Sequence, residues 1–210
     1  MELFKIEQCA GNKGCPNTLI DTSKLIEEIY RIAKEERITD VITSKIKGPV
    51  RQHHCFRVGV ANCPNACSQV QILDFGIIGK VKIKIDQELC IDCGKCVGKC
   101  FERALLIEND KLNFNEKNCI GCGMCVKSCE KQAIKILDRG YKVLAGGKLG
   151  RHPMLAIEIT NFATSDEVLS LFTMILRLYK KLSVAGERLG AIFQRLKINS
   201  FKDLQSCNFF

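Results

Sequence analysis

The chain has no tryptophan, no apolar run near the roughly eighteen residues that cross a bilayer, and no acid between Val41 and Leu73. The lack of a long apolar run excludes a membrane-spanning helix. The opening M-E-L-F-K-I-E-Q-C places an acid at Glu2 with no apolar stretch behind it, which is not a secretory signal. A soluble, cytoplasmic protein is therefore expected. A second acid-free stretch runs from Arg139 to Ile157, so the formal charge of +9 is unevenly spread. Lys45, Lys47, Arg51, His53, His54 and Arg57 fall in the first stretch, and Arg139, Lys142, Lys148 and Arg151 in the second. Aromatic residues are not interleaved with these bases and no recognition motif accompanies them, which argues against nucleic acid. A polyanionic cofactor, a small oxyanion or a merely solvated basic surface all suit the balance.

Cysteine is what the chain has in excess. There are fourteen, twelve of them in close groups. Disulfide frameworks belong to smaller secreted chains, so close C-x-x-C spacing without an export signal points to metal. The 210 residues are enough for one domain with a small second one.

One internal repeat stands out. C-I-D-C-G-K-C-V-G-K-C (Cys90–Cys100) recurs 29 residues later as C-I-G-C-G-M-C-V-K-S-C (Cys119–Cys129). Short alternating runs surround the copies: K-V-K-I-K-I before, A-L-L-I and K-L-N-F between, A-I-K-I-L after. The unit spans about Asp86 to Leu137 and reads as an insertion, which divides the chain into 1–85, 86–137 and 138–210. The first flank offers a strand at L-F-K-I, a cysteine loop and a helix from about Asp21. Leu25, Ile26, Ile29, Ile32 and Ala33 recur there at helical spacing. Strands are expected at Phe56–Val60 and Gln71–Ile78, then near Tyr141–Leu144 and Leu155–Ile159. A helix opened by the capping box Thr164-x-x-Glu167 follows, and another over about Glu187–Leu196. The fold class expected is α+β: an outer α/β or α+β domain interrupted by a small ferredoxin-like domain.

C-x2-C-x2-C-x3-C given twice is the bacterial two-cluster ferredoxin pattern, in which the fourth cysteine of each run ligates the other cluster. Cys90, Cys93, Cys96 and Cys129 are thus expected at one [4Fe–4S] centre, and Cys119, Cys122, Cys125 and Cys100 at another. Phe101 and Glu130 stand where a proline usually follows the fourth cysteine. A four-cysteine zinc site would want two pairs, not runs of four. Cys9 and Cys15 form a C-x5-C, and Cys63 and Cys67 a C-x3-C. Four thiolates from two loops can close a third cubane. Cys55 reads as a buried thiol and Cys207 as a tail thiol.

With these motifs the chain resembles the sulfite and nitrite reductase hemoprotein family. The resemblance runs through G-V-A-N-C-P-N-A-C-S-Q-V-Q-I-L-D-F-G-I-I-G, the inserted unit, A-G-G-K-L-G-R-H-P and G-E-R-L-G. It is nearest to the dissimilatory and anaerobic branch, where a ferredoxin domain follows the cluster motif. The resemblance implies that Cys9, Cys15, Cys63 and Cys67 bind a [4Fe–4S] cluster coupled to siroheme, with Cys67 bridging to the haem iron. Three clusters would then relay electrons from a donor protein to a haem that reduces sulfite, nitrite or a related small oxyanion. Family members with full activity have two related halves, and only eight residues precede Cys9. A second copy or a partner subunit is expected to complete the siroheme pocket. Candidate substrate residues are Arg51, His53, His54 and Arg57. Lys148, Arg151 and His152, behind Gly146 and Gly147, are candidates for the cofactor's carboxylates, against an ordinary turn. The reading is a siroheme-dependent oxidoreductase or a subunit of one. The alternatives are a polyferredoxin-type electron-transfer subunit without siroheme and, more weakly, a tetrapyrrole carrier.

Overall fold

Alternating apolar residues build the central sheet. In the computed structural model, which describes residues 3–206, β1 (Phe4–Gln8), β2 (Phe56–Ala61), β3 (Phe75–Ile85), β6 (Ile134–Ala145) and β7 (Ile157–Ala163) form five strands in the order β1-β2-β3-β6-β7. The first three are parallel and the last two run antiparallel to their neighbours. Side chains alternate across a strand. Phe56, Val58 and Val60 of β2, Phe75 and Ile77 of β3, and Tyr141 and Val143 of β6 therefore share one buried face. Helices α1 (Ser23–Glu35), α2 (Ile38–Lys45), α4 (Ser165–Leu182) and α5 (Leu189–Leu196) contribute to the same core. Each fully buried Ile, Leu or Phe there is worth ~1.5–3 kcal/mol. The short α6 (Phe201–Ser206) closes the described chain.

The other face carries small residues. Gly59 and Gly76 lie under the Val70–Ile72 turn, and Ala61, Ala66, Val70, Ile78 and Leu144 form a second apolar cluster with Cys9 at its edge. The β2-to-β3 connection crosses here, so the C-x3-C loop opens on this face rather than toward the helices.

Two expected elements are redrawn. The strand expected from Gln71 begins only at Phe75, because Gln69 takes a left-handed φ of 52° and Val70–Ile72 turns. K-V-K-I-K-I is not a separate strand but the far half of β3, and A-I-K-I-L is the near half of β6. The two pair without interruption of the ribbon from Phe75↔Ala145 to Ile85↔Ile134, with one register shift at Lys82/Ile83. The boundary expected after residue 137 thus falls inside β6. Between the strands lie the β4–β5 hairpin (Leu105–Glu108, Lys111–Phe114), the short α3 (Met124–Ser128) and a small core of Cys96, Leu105, Leu112, Cys125 and Ile134.

The capping box forms as its spacing predicts. Glu167 N–H donates to Thr164 Oγ1 at 3.3 Å, and Thr164 N–H to Glu167 Oε2 at 2.7 Å. The helix expected from Asp21 starts at Ser23, where Asp21 accepts from the Ser23 N–H at 2.8 Å. Helix α2 has only a weak pattern, two buried residues in eight, and the sequence does not announce it. Cys207 lies outside the described residues.

Candidate metal centres

Every described cysteine is a free thiol. Cys90, Cys93, Cys96 and Cys129 line one cavity, and Cys100, Cys119, Cys122 and Cys125 line another. The fourth cysteine of each copy has crossed to the other set. The repeat is kept in detail: Ala104 N–H donates to Cys100 Sγ at 3.2 Å and Ala133 N–H to Cys129 Sγ at 3.3 Å, at positions 29 apart. Among the described residues no group of three or more His, Cys, Asp or Glu is placed to hold a single ion. Each set of four surrounds a cavity instead.

Burial pushes the Cys125 thiol up to about 12, with Cys122 and Cys119 adding to it. Cys96, Cys90 and Cys119 move up for the same first reason. Gathering thiols away from water disfavours the thiolates that coordinate metal. A cationic occupant reverses this, because coordination deprotonates the thiol outright. The donor set and its cavities fit iron–sulfur clusters.

The third set sits at the ends of parallel strands. Cys9 follows β1 and Cys63 follows β2 at the same edge of the sheet, where Cys9 N–H still donates to Val60 O at 3.1 Å. Burial raises the Cys63 thiol, and Cys9, Cys67 and Cys15 contribute to the shift, which places all four in one electrostatic neighbourhood. Cys9 Sγ accepts from Gly11 N–H at 3.3 Å and from Asn62 N–H at 3.4 Å. Cys67 is the exposed member.

Asn62 is a site residue that the motifs do not single out. It is 1% exposed, and its amide donates to Ile20 O at 2.7 Å and to Asn12 Oδ1, so one buried side chain ties the loop after β1 to the loop after β2. A Cβ on Gly11 would stand 2.2 Å from Asn62 Cγ, which explains a glycine there. The only sequence signal is its place directly before Cys63.

Residues 86–137 are tied to the rest of the chain at two places: Lys127 Nζ donates to Pro16 O of the loop after β1 at 2.6 Å, and Val81 N–H of β3 donates to Gly121 O at 3.0 Å. Arg139 of β6 donates to Leu19 O of the same loop. A cleft of about 280 Å³ runs between the parts, with Cys63 and Asn65 on one side and Cys100, Phe101 and Cys122 on the other. Phe101 is 90% exposed at its rim, while Glu130, its counterpart, pairs with Lys95 at 2.6 Å.

The expected basic residues are not brought to the cysteines. Arg51, His53 and His54 precede β2, whereas Cys63 and Cys67 follow it. The six residues of that strand separate them by ~20 Å. His53 and His54 rings pack 4.2 Å apart, and burial lowers the His54 pKa, with His53 and Arg51 adding. Arg57 lies on the cysteine-bearing face, but its guanidinium is taken by Glu7. Lys148 is buried with its ammonium on His152 O at 2.6 Å, and Arg151 and His152 are exposed. Gly147 is accounted for by packing, since a Cβ there would stand 2.4 Å from Gln71 O. That packing sets the loop beside the turn that follows Cys67.

Fold and thiolate sites together define the class, an iron–sulfur protein. The chain belongs to the nitrite and sulphite reductase 4Fe-4S domain family, whose model matches residues 2–206. It is 33% identical over 195 residues to the coenzyme F420-dependent sulfite reductase of Methanocaldococcus jannaschii, covering 92% of this chain and 29% of that protein. It is 29% identical over 109 residues to one subunit of the anaerobic sulfite reductase of Salmonella typhimurium, covering 50% of this chain and 28% of that one. The chain therefore spans under a third of the length of these curated relatives. The crystal structure of dissimilatory sulfite reductase I shares the α+β fold, with a TM-score of 0.64 at 23% identity over 96% of this chain and 51% of that one. No described helix is long and apolar enough to cross a membrane.

Proposed function

We propose that the chain is the cluster-bearing half of a siroheme-dependent reductase of sulfite, nitrite or a related small oxyanion, or a subunit of one. In this reading residues 1–85 and 138–210 form the half-domain and 86–137 a ferredoxin insertion. Cys90, Cys93, Cys96 and Cys129 hold one [4Fe–4S] cluster, Cys100, Cys119, Cys122 and Cys125 a second, and Cys9, Cys15, Cys63 and Cys67 a third. The observation that carries it is the exchange of fourth cysteines between two thiolate-lined cavities, beside a third thiol set at the ends of β1 and β2.

Adjacency supports an order of transfer. The second set shares its cleft with Cys63, while the cavity of the first set is lined by insertion residues and the first residue of β6 alone. With clusters bound, a donor protein would deliver electrons to the cluster held by the first set, and the second and third sets would hold the clusters that carry them on. Siroheme, when bound, supplies the iron at which an oxyanion takes up six electrons. This chain's part would be to present the exposed Cys67 sulfur toward the haem and to hold the Cys9 sulfur with the Gly11 and Asn62 N–H donors, which tune potential. The facing wall comes from a second copy or a partner subunit.

Anaerobic purification with iron and acid-labile sulfide analysis and a visible spectrum tests this. The reading expects about twelve iron atoms per chain, siroheme bands, and sulfite or nitrite reduction with reduced viologen once the facing wall is supplied. Full iron with no siroheme after reconstitution sinks the haem reading and leaves the polyferredoxin one. The specific observation favouring that second reading is that Cys67 is exposed.

A further inference from the structure

Lys80 is a buried cation without a counter-ion. It is 8% exposed, yet its ammonium donates only to the neutral Asn161 side chain and lies within 4 Å of no described carboxylate. The carboxylate that bears on it, Glu158, is engaged by Lys142 at 2.6 Å, and Glu116, on the same cavity, is exposed. Buried charges are normally paired or set against a metal site. Lys80 lines the same cavity as Cys119, and its stem lies under the cysteine loop, since a Cβ on Gly121 would stand 3.0 Å from Lys80 Cβ and Cε.

The repeat shows what differs between its copies. Gly121 occupies the position of Asp92, 29 residues earlier, and both have left-handed backbones, with φ of 76° and 51°. In the second copy only glycine fits against β3. In the first copy the position is half-buried and carries a carboxylate, which accepts from Leu112 N–H at 2.8 Å and faces Cys90 Sγ at 3.6 Å. The first set therefore has a half-buried acid against its cysteine loop, with only the exposed Lys95, Glu130 and Lys131 beside it and Lys95 paired to Glu130, whereas the second has a buried cation there.

We propose that Lys80 is the built-in counter-ion of the cluster held by Cys100, Cys119, Cys122 and Cys125, and that with Asp92 it splits the two insertion clusters in potential. The proposal rests on the cluster assignment above. Adding an electron makes a thiolate-ligated cluster more negative. A nearby ammonium stabilises that state and a nearby carboxylate opposes it. The set beside the Cys63 cleft is then the stronger electron acceptor, and transfer from the Cys90 set inward is downhill.

Redox titration of the reconstituted full chain, followed by electron paramagnetic resonance, tests this. Wild type should show two separated insertion couples. K80M and K80Q should lower the upper one by a factor of about ten in electron affinity, 59 mV for one electron, with the lower couple unmoved. K80R should restore it, and D92N should raise the lower couple alone. Coincident couples in wild type, an upper couple unmoved in both K80M and K80Q, or a shift of the lower couple instead would overturn the proposal. K80Q keeps a donor for Asn161, so its reading stands even where K80M loses iron. Failure of the cluster assignment is separately visible: wild type would then take up no iron at the eight insertion cysteines, whatever stands at position 80.

Discussion

The Cys9 thiol donates to the Asn62 side-chain oxygen at 3.3 Å, and the Asn62 N–H donates back to the Cys9 sulfur at 3.4 Å. Two loops that are 53 residues apart in sequence are thus locked at one residue pair. Asn62→Leu strips the bonds to Ile20 O and Asn12 and leaves buried groups unpaired, at a cost of ~1–3 kcal/mol each. The variant should lose the iron of the third set, about four atoms per chain, and keep the insertion iron. Iron analysis beside a urea midpoint checks this; full iron retention refutes it.

Gly11→Ala acts on the same joint from the other side. Its Cβ would overlap Asn62 at 2.2 Å, and overpacking of this kind costs ~1–3 kcal/mol. The same selective iron loss is expected, with the far end of the sheet unchanged by hydrogen exchange.

Among the described residues Cys67 and Cys93 are the exposed thiols. In iron-free protein an alkylating reagent should label these two first among the described cysteines, and in loaded protein both should be protected. Cys67→Ser should abolish any haem–cluster coupling; retained coupling would rule out Cys67 as the bridge.

Asp74 and Arg188 form a buried ion pair at 2.8 Å, and Asp74, fully buried, also accepts from the Arg57 and Leu189 backbone N–H groups. Asp74→Ala leaves the guanidinium buried without its partner and should cost ~3–5 kcal/mol in chemical denaturation. The double variant Asp74→Leu/Arg188→Met should recover part of the loss.

Glu36 gives a pH signature. The Lys180 ammonium, with Arg177 behind it, holds the Glu36 carboxyl below its ordinary 4.5. A lowered native pKa means stability that is present above the unfolded value and lost as pH falls through the native one. Wild type should therefore exceed Glu36→Gln by ~0.2–1 kcal/mol at pH 7, with the gap closing below about pH 4. A gap that persists to pH 2 would exclude the ion pairs as its source.

Much of the local chemistry was legible because its signals are local. The helical stripe of α1 and the Thr164–Glu167 box lie within a few residues of what they organise, and the repeat assigns eight cysteines by spacing alone. Where Arg51, His53, His54 and Arg57 stand relative to the cysteines was not legible, because an extended strand puts its two ends far apart, and Glu7, which takes Arg57, comes from a neighbouring strand.

By itself the sequence determined most of the helices and strands, α2 and the start of β3 excepted, and which thiols fall into runs, because backbone propensity and loop closure act over short separations. Tertiary structure alone decided that Asn62 joins two cysteine loops and that β3 and β6 run on into the insertion as one ribbon. It alone set Gly121, not Asp92, against Lys80. Those outcomes depend on strand register and on which copy of the repeat packs against the sheet, and neither is written within a single segment.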